Sequence, residues 1–344
     1  MTIILDAMGG DNAPQAIVRG AVDACREFGV DIVLVGLEDE VKACLKDCGA
    51  ENESRIRVRN ATEIVTMEDD PSTATRRKKD SSMTVALTML KNGEGDAVVS
   101  AGSTGALLTG ATLIVKRIRG IRRAALAPVL PNGGKGVMLI DCGANVECSP
   151  EYLLQFAFMG SFYAEKIMGC EKPRVALLNV GAEDTKGAEL QKTTNAALHE
   201  AAAAGRLNFI GNREGSDLLK GEVDVMVADG FAGNVMLKTV EGAAKFMFGG
   251  LKGIFYKNLK TKIAAALIKK DLYAFKSMMD VNEIGGTAIL GLSKPVIKAH
   301  GASDARAIRS AVRQAIAFAG AGVIQEIENN IESIRITEKQ EDQL

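Results

Sequence analysis

Ala97-Val98-Val99-Ser100-Ala101-Gly102-Ser103-Thr104-Gly105-Ala106 is an apolar run that stops in a turn of Gly, Ser and Thr and resumes as a helix start. Four other stretches repeat that pattern. Ile3-Ile4-Leu5 runs into Asp6-Ala7-Met8-Gly9-Gly10-Asp11, and residues 137–140 run into Asp141-Cys142-Gly143-Ala144-Asn145. Residues 175–178 run into Asn179-Val180-Gly181-Ala182-Glu183, and residues 223–227 into Asp229-Gly230-Phe231-Ala232-Gly233-Asn234. Each reads as a buried strand, a tight turn and a helix N-terminus. Ligands of open α/β sheets sit beyond the carboxyl ends of the strands. Five polar turns on that edge predict one pocket lined by backbone N–H groups, short acids and amides.

Outward from these turns the alternation continues. Residues 14–28 have helical apolar spacing behind a first-turn Pro, with Asn12 as cap. Residues 32–35 and 56–58 read as strands, 39–48 as a helix, and 84–91 as the continuation of a helix beginning near 74. Strands at about 97–100, 137–140, 175–178, 207–210 and 223–227 alternate with helices at about 104–118, 150–169, 187–203 and 214–219. This predicts an α/β fold, three-layer α/β/α with a mostly parallel sheet. A single domain is expected over residues 1–330, with a flexible tail at 331–344.

Residues 236–280 break the alternation. Between Lys245 and Lys276 stand eight lysines against one acid, Asp271, and six of the fifteen aromatic residues of the chain. Phe248, Leu251, Lys252, Ile254, Phe255, Lys257 and Lys260 outline a basic amphipathic helical arm. Such an arm suits either an anionic lipid surface or a partner subunit.

The chain has 344 residues, 47% hydrophobic and 25% charged, which is the balance of a globular protein. A net charge of −1 argues against a dedicated nucleic-acid binder. Six cysteines without a C-x-x-C pair, and only two histidines, predict no metal site and reduced thiols. The chain opens on a strand and no apolar run reaches roughly 18 residues, so a cytoplasmic protein, at most peripheral to the membrane, is expected.

Gly102, Ser103, Thr104 and Gly105 form a helix start suited to an anion, because free N–H groups and the helix dipole point the same way. Gly9, Gly10 and Asp11 form a second turn of this type. Neither matches a dinucleotide or nucleoside triphosphate fingerprint. Lys186, before a helix start, suits a developing oxyanion or simply a surface position. Asp141, Asn145, Asn179, Asp229 and Asn234 either orient reactants or tie their own turns. His300 is an acid–base candidate or a structural histidine. Arg76, Arg77, Lys78 and Lys79, with Arg119, Arg122 and Arg123, form two basic runs, either solvated or facing an acidic partner.

Together these stretches resemble the phosphate acyltransferase family across residues 3 to about 310. The match is carried by Leu5–Pro14, Arg76–Met83, Val99–Ala106, Asp141–Asn145, Leu177–Gly181, Lys186-Gly187, Asp229–Asn234 and Ala299-His300-Gly301. The family often has Asn where Ser103 stands and Val where Ala232 stands, and its Pro is missing from Gly285–Gly291. The resemblance implies a fold like phosphotransacetylase and isocitrate dehydrogenase, and a homodimer. It implies reversible transfer of a long-chain acyl group from an acyl-carrier-protein thioester to inorganic phosphate, without a cofactor. The acyl-phosphate would feed phosphatidic acid and phospholipid synthesis through a membrane acyltransferase. In that chemistry Gly9, Gly10, Asp11, Gly102–Gly105, Asp141 and Asn145 would hold phosphate. Lys186, Asn179, Asp229, Asn234 and His300 would serve catalysis, and the basic runs would dock the carrier protein. A dehydrogenase of the same fold and a non-catalytic membrane scaffold stand as alternatives.

Overall fold

The computed structural model describes residues 1–272 and 285–334. The end of the expected arm at 273–280 and the tail from 335 onward lie outside the described residues.

The strands form two sheets. The first contains β1 (Thr2–Asp6), β2 (Asp31–Gly36), β3 (Ile56–Asn60), β4 (Ala97–Ser100) and β5 (Ala125–Ala127). The second contains β6 (Val129–Leu130), β7 (Val137–Ile140), β8 (Val175–Leu178), β9 (Phe209–Arg213) and β10 (Val225–Val227). The chain then returns to the first sheet with β11 (Thr287–Leu290) and β12 (Val296–Lys298). Strand order is β3-β2-β1-β4-β12-β11-β5 in the first sheet and β6-β7-β10-β8-β9 in the second. Among the described residues only β11–β12, β11–β5 and β6–β7 pair antiparallel. The parallel α/β pattern therefore holds, distributed over two sheets. Pro128 separates β5 from β6 at the crossing, and bonds from Leu139 N–H to the Pro128 carbonyl (3.0 Å) and from Cys142 N–H to the Leu126 carbonyl (3.1 Å) join the sheets.

Parallel strands buried on both faces need apolar side chains in both directions. On β1, Ile3 and Leu5 enter one core with Ile17, Val18 and Ile308, while Ile4 enters another with Leu87 and Leu107. These partners come from α1 (Gln15–Phe28), α4 (Ser82–Asn92), α5 (Thr104–Ile114) and α10 (Ala305–Gly320), with α2 (Glu38–Asp47) and the short α3 (Ala74–Arg77) completing this half. The other half carries α6 (Pro150–Lys166) and α7 (Glu189–Ala203), with α11 (Val323–Asn329) packed on α6.

The helix expected to run from 74 to 91 is two helices. Ser81 takes an extended conformation and accepts the Thr84 N–H (3.3 Å), which caps α4 and stops continuity with α3. The expected helix at 214–219 is one 3-10 turn, Gly215–Asp217.

The arm is α8 (Gly230–Phe255) followed by α9 (Leu259–Leu267). Only Gly230 and Gly233 of α8 are buried. Beyond its first turns Phe246, Ile254, Leu259 and Leu267 are exposed. Among the described residues no helix is long and apolar enough to cross a membrane.

Candidate active site

Strand order places the ends of β1, β4 and β12 side by side, so Asp6, Ser100 and Lys298 are neighbours. The Ser100 hydroxyl donates to Asp6 Oδ2 (2.7 Å) and accepts the Gly102 N–H (3.1 Å). Burial pushes the Asp6 carboxyl above its ordinary range, opposed by hydrogen bonds from Ser100 and Ser82 and by the Lys298 charge. Gly9 lies against this pair: a Cβ there would stand 2.6 Å from Asp6 Oδ2 and 2.7 Å from Gly102 N. Gly10 has φ +102°, and the Asp11 N–H donates to the Gly301 carbonyl (2.8 Å). The turns 9–11, 102–105 and 300–301 thus meet, as their strand ends require.

Among the described residues five helices are capped by side chains: α4 by Ser81, α6 by Ser149, α8 by Asp229, α9 by Asn258 and α10 by Asp304. α5, which starts at Thr104, is among the helices without a side-chain cap: Ser103 gives it none. The first N–H groups of a helix have no intrahelical acceptor, so this start presents open donors. Thr104 lines the cleft described below.

The second sheet's turns behave differently. Asp141 is fully buried and accepts five hydrogen bonds, from the N–H groups of Leu126, Cys142, Ala144 and Asn145 and from Asn145 Nδ2. Burial still pushes its carboxyl up against these donors. Asn145 Nδ2 also donates to the Ala124 carbonyl (2.8 Å). Expected at the anion, Asp141 and Asn145 instead knot the crossing between the sheets, and a carboxylate so engaged has no attraction for phosphate. Asp229, expected in catalysis, accepts the Ala232 N–H (2.9 Å) and caps α8. Asp229→Ala should therefore cost about 1 kcal/mol of stability, measured by urea unfolding.

Asn179 accepts the Val180 N–H (2.8 Å) and donates to the Lys186 carbonyl (3.1 Å), clamping the loop between them. The Lys186 side chain is exposed and is not among the residues lining the cleft. The structure therefore gathers Gly9, Gly10, Gly102, Thr104, Asn234 and His300, and leaves Asn179 and Lys186 on a separate loop.

The cleft, about 580 Å³, lies between the β12 end and α8. Its lining includes the polar Thr104, Lys298 and His300 and the apolar Leu126, Pro128, Leu237 and Phe248. Phe248, expected on the lipid-facing arm, is half-buried here. Lys238 and Lys245 enter from α8, with Glu241 bonded to Lys238 (2.9 Å). His300 Nδ1 accepts the Ala302 N–H (3.2 Å), so the neutral ring carries its proton on Nε2. Burial, aided by Lys238, Lys298 and Lys245, lowers the His300 pKa and favours that neutral form. Cys142 also lines the cleft, but burial pushes its thiol well above the ordinary range. A thiol held protonated is a poor nucleophile.

Of the basic runs, Arg76, Arg77, Lys79, Arg119, Arg122 and Arg123 are exposed and Lys78 is half-buried. Lys78 is tied to Asp69 (2.6 Å) and the Ile64 carbonyl (2.8 Å). Arg122 pairs with Glu151 (3.1 Å), and Arg123 lies over the Tyr152 ring, 5.0 Å from its centroid. Those three help hold local structure.

Residues 1–326 match the family model described as fatty acid synthesis protein. A phosphate acyltransferase from Oceanobacillus iheyensis is 46% identical over 341 residues, covering 99% of this chain and all of that protein. One from Geobacillus thermodenitrificans is 48% identical over 334 residues, covering 96% of this chain and 99% of that one. The chain belongs to the phosphate acyltransferase family. Membership makes it an enzyme of the acyltransferase class. A phosphotransacetylase from Streptococcus pyogenes superposes with a TM-score of 0.64 at 19% identity, covering 94% of both chains. A branched-chain phosphotransacylase from Enterococcus faecalis gives 0.54 at 15% identity, covering 93% of this chain and 99% of that one. At such identities the likeness is one of fold. Lys298 had no place among the residues singled out from sequence, although a lysine closing the buried run Val296-Ile297 was the signal.

Proposed function

We propose that this family member transfers a long-chain acyl group from an acyl-carrier-protein thioester to inorganic phosphate, releasing acyl-phosphate and a free thiol. The observation that carries the reading is one cleft whose lining combines the uncapped start of α5, the cations Lys238, Lys245 and Lys298, and apolar side chains. The first two suit phosphate, and the apolar side chains suit an acyl chain. A phosphate oxygen attacks the thioester carbonyl, forming the P–O–C bond, and the carbonyl oxygen takes the electron pair as an oxyanion. Collapse restores the carbonyl, breaks the C–S bond and expels the thiolate. His300 Nε2–H and the Asn234 amide, both in the cleft lining, would donate to the oxyanion. Thiols have pKa values near 8.5, so the leaving group needs little acid assistance. Positioning two bound reactants supplies much of the acceleration. Lys186 and Asn179 act from the adjoining loop. Lys186→Ala should lower kcat/KM at least about tenfold, the loss of roughly one charge-assisted contact.

Arg76, Arg77, Lys79 and Arg119 would steer the acidic carrier protein to a homodimeric enzyme. The exposed lysines and apolar side chains of the arm would hold it to an anionic membrane, where acyl-phosphate is consumed by a membrane acyltransferase. Changing Lys252, Lys257 and Lys260 together to Glu should abolish flotation with anionic vesicles; unchanged flotation would refute the membrane role.

The primary test is thiol release from a long-chain acyl carrier protein, with acyl-coenzyme A alongside. Release that requires phosphate, with hydroxylamine trapping the product, is the expected result. Release without phosphate would indicate a thioesterase, and none from either donor would favour the scaffold.

A further inference from the structure

Lys298 ends a central strand, and its two predecessors, Val296 and Ile297, are completely buried. The lysine itself is 8% exposed and still lines the cleft. Its ammonium donates to the carbonyls of Ala101 (3.3 Å) and Ala299. An ammonium has three donors, so two neutral carbonyls leave one donor and the full charge to be met. Among the described residues no carboxylate lies within ion-pair distance of it. Asp6, across β4, is engaged by Ser100. The carbonyl of Ala101 immediately precedes the turn that opens α5. The ammonium therefore sits beneath the same turn whose first N–H groups have no cap.

We propose that Lys298 is the cation that seats the attacking tetrahedral anion, sharing it with the N–H groups that open α5. The proposal rests on the acyl-transfer reading for the anion's role, but anion binding itself can be measured separately. It explains why a buried charge is retained in the middle of a sheet: a doubly charged oxyanion completes its coordination. A side-chain cap on α5 would occupy the anion's place, and none is present.

Protonation gives the test its shape. Burial brings the Lys298 ammonium down to about 8, with Asp6 and Asp11 opposing and Lys238 assisting. The other charged groups facing the cleft are Glu241, Lys245 and His300. Lys298 carries its charge below that value and loses it above, so anion binding is strong below pH 8 and weakens as pH rises. Phosphate changes its own charge near neutrality and would blur this dependence. Sulfate keeps two charges throughout and is the cleaner probe.

Sulfate affinity of the full chain should be measured by calorimetry from pH 6.5 to 9.5, in wild type, Lys298→Met, Lys298→Arg and His300→Gln. For wild type we expect affinity to fall by up to about tenfold per pH unit above pH 8, the slope of one linked proton. Lys298→Met should bind at least about tenfold more weakly at pH 7 and lose the dependence, whereas His300→Gln should keep it. Lys298→Arg should remove the loss above pH 8, because a guanidinium does not titrate there. A flat wild-type profile, or Lys298→Met binding sulfate like wild type, would overturn the proposal. Should the Met variant not fold, the wild-type profile and the Arg variant still decide. Phosphate-dependent thiol release by wild type, measured in parallel, reports on the acyl-transfer reading independently.

Discussion

Asp141→Ala is expected to lose about 4 kcal/mol of folding stability. The carboxylate is completely buried and receives five hydrogen bonds from two segments, Ala144–Asn145 and Cys142 in its own turn and Leu126 across the crossing. Removing the acceptor strands the N–H groups of Leu126, Ala144 and Asn145, while Cys142 N–H and Asn145 Nδ2 keep the carbonyls of Leu126 and Ala124, and each buried unsatisfied donor costs about 1–3 kcal/mol. Partial hydration of the space left behind recovers some of this. The remainder is a large fraction of the 5–15 kcal/mol typical of a whole domain. Asp141→Asn is the informative companion. It keeps the volume and one acceptor oxygen, but its NH2 must face an N–H, because every partner of Asp141 is a donor. It should therefore be intermediate, losing about 2 kcal/mol. Urea unfolding followed by far-UV circular dichroism reads both variants. An Ala variant within about 1 kcal/mol of wild type, the range of an ordinary substitution, would show that the knot is redundant.

The same residue marks the limit of what sequence reveals. Asp6, Asp141 and Asp229 all stand where a strand enters a glycine-rich turn, and in sequence they are equivalent. Their carboxylates face a serine hydroxyl, a cage of amides and a helix start respectively. Those environments are made by segments as much as 94 residues away. The strands themselves were legible because burial on both faces forces continuous apolar runs, and the turns because glycine permits the close approaches they need. The division into two sheets was not, since the local pattern is identical in both and the crossing is made by β5 and β6, of three and two residues. Strands that short have no periodicity to read. β11 and β12 are similarly brief, and so the strand end that carries Lys298 was missed while the adjacent His300 was noticed. Lys186 is the converse case. A lysine before a helix looks like an oxyanion partner from sequence alone, but strand order sets it on an exposed loop beside the cleft and outside its lining.

Gly9→Ala should lower kcat about a hundredfold while the protein stays folded. Gly9 has no positive φ to protect; its requirement is space. A methyl group there would press on Asp6 Oδ2 and on the N and Cα of Gly102, the last at 3.0 Å. Asp6 cannot retreat, because it is fully enclosed and tied to Ser100, and Gly102 N is tied to the same hydroxyl. The compliant element is the 102–105 turn, which carries the open N–H groups of α5. Relief of the collision displaces those groups by several tenths of an ångström to about 1 Å, and displacements of that size can cost a hundredfold when catalysis depends on placing two reactants. Overpacking of this kind typically costs about 1–3 kcal/mol of stability, which leaves the fold populated at 25 °C. On the proposal that the turn holds phosphate and not the acyl donor, the KM for phosphate should rise with the fall in kcat, and the KM for the thioester should stay near wild type. Gly242→Ala is the control: a Cβ there meets nothing within 4 Å, and the change should stabilise α8 by about 0.5–1 kcal/mol without affecting turnover. Gly9→Ala with kcat within threefold of wild type, or with the loss confined to the thioester KM, would place the reacting phosphate elsewhere in the cleft.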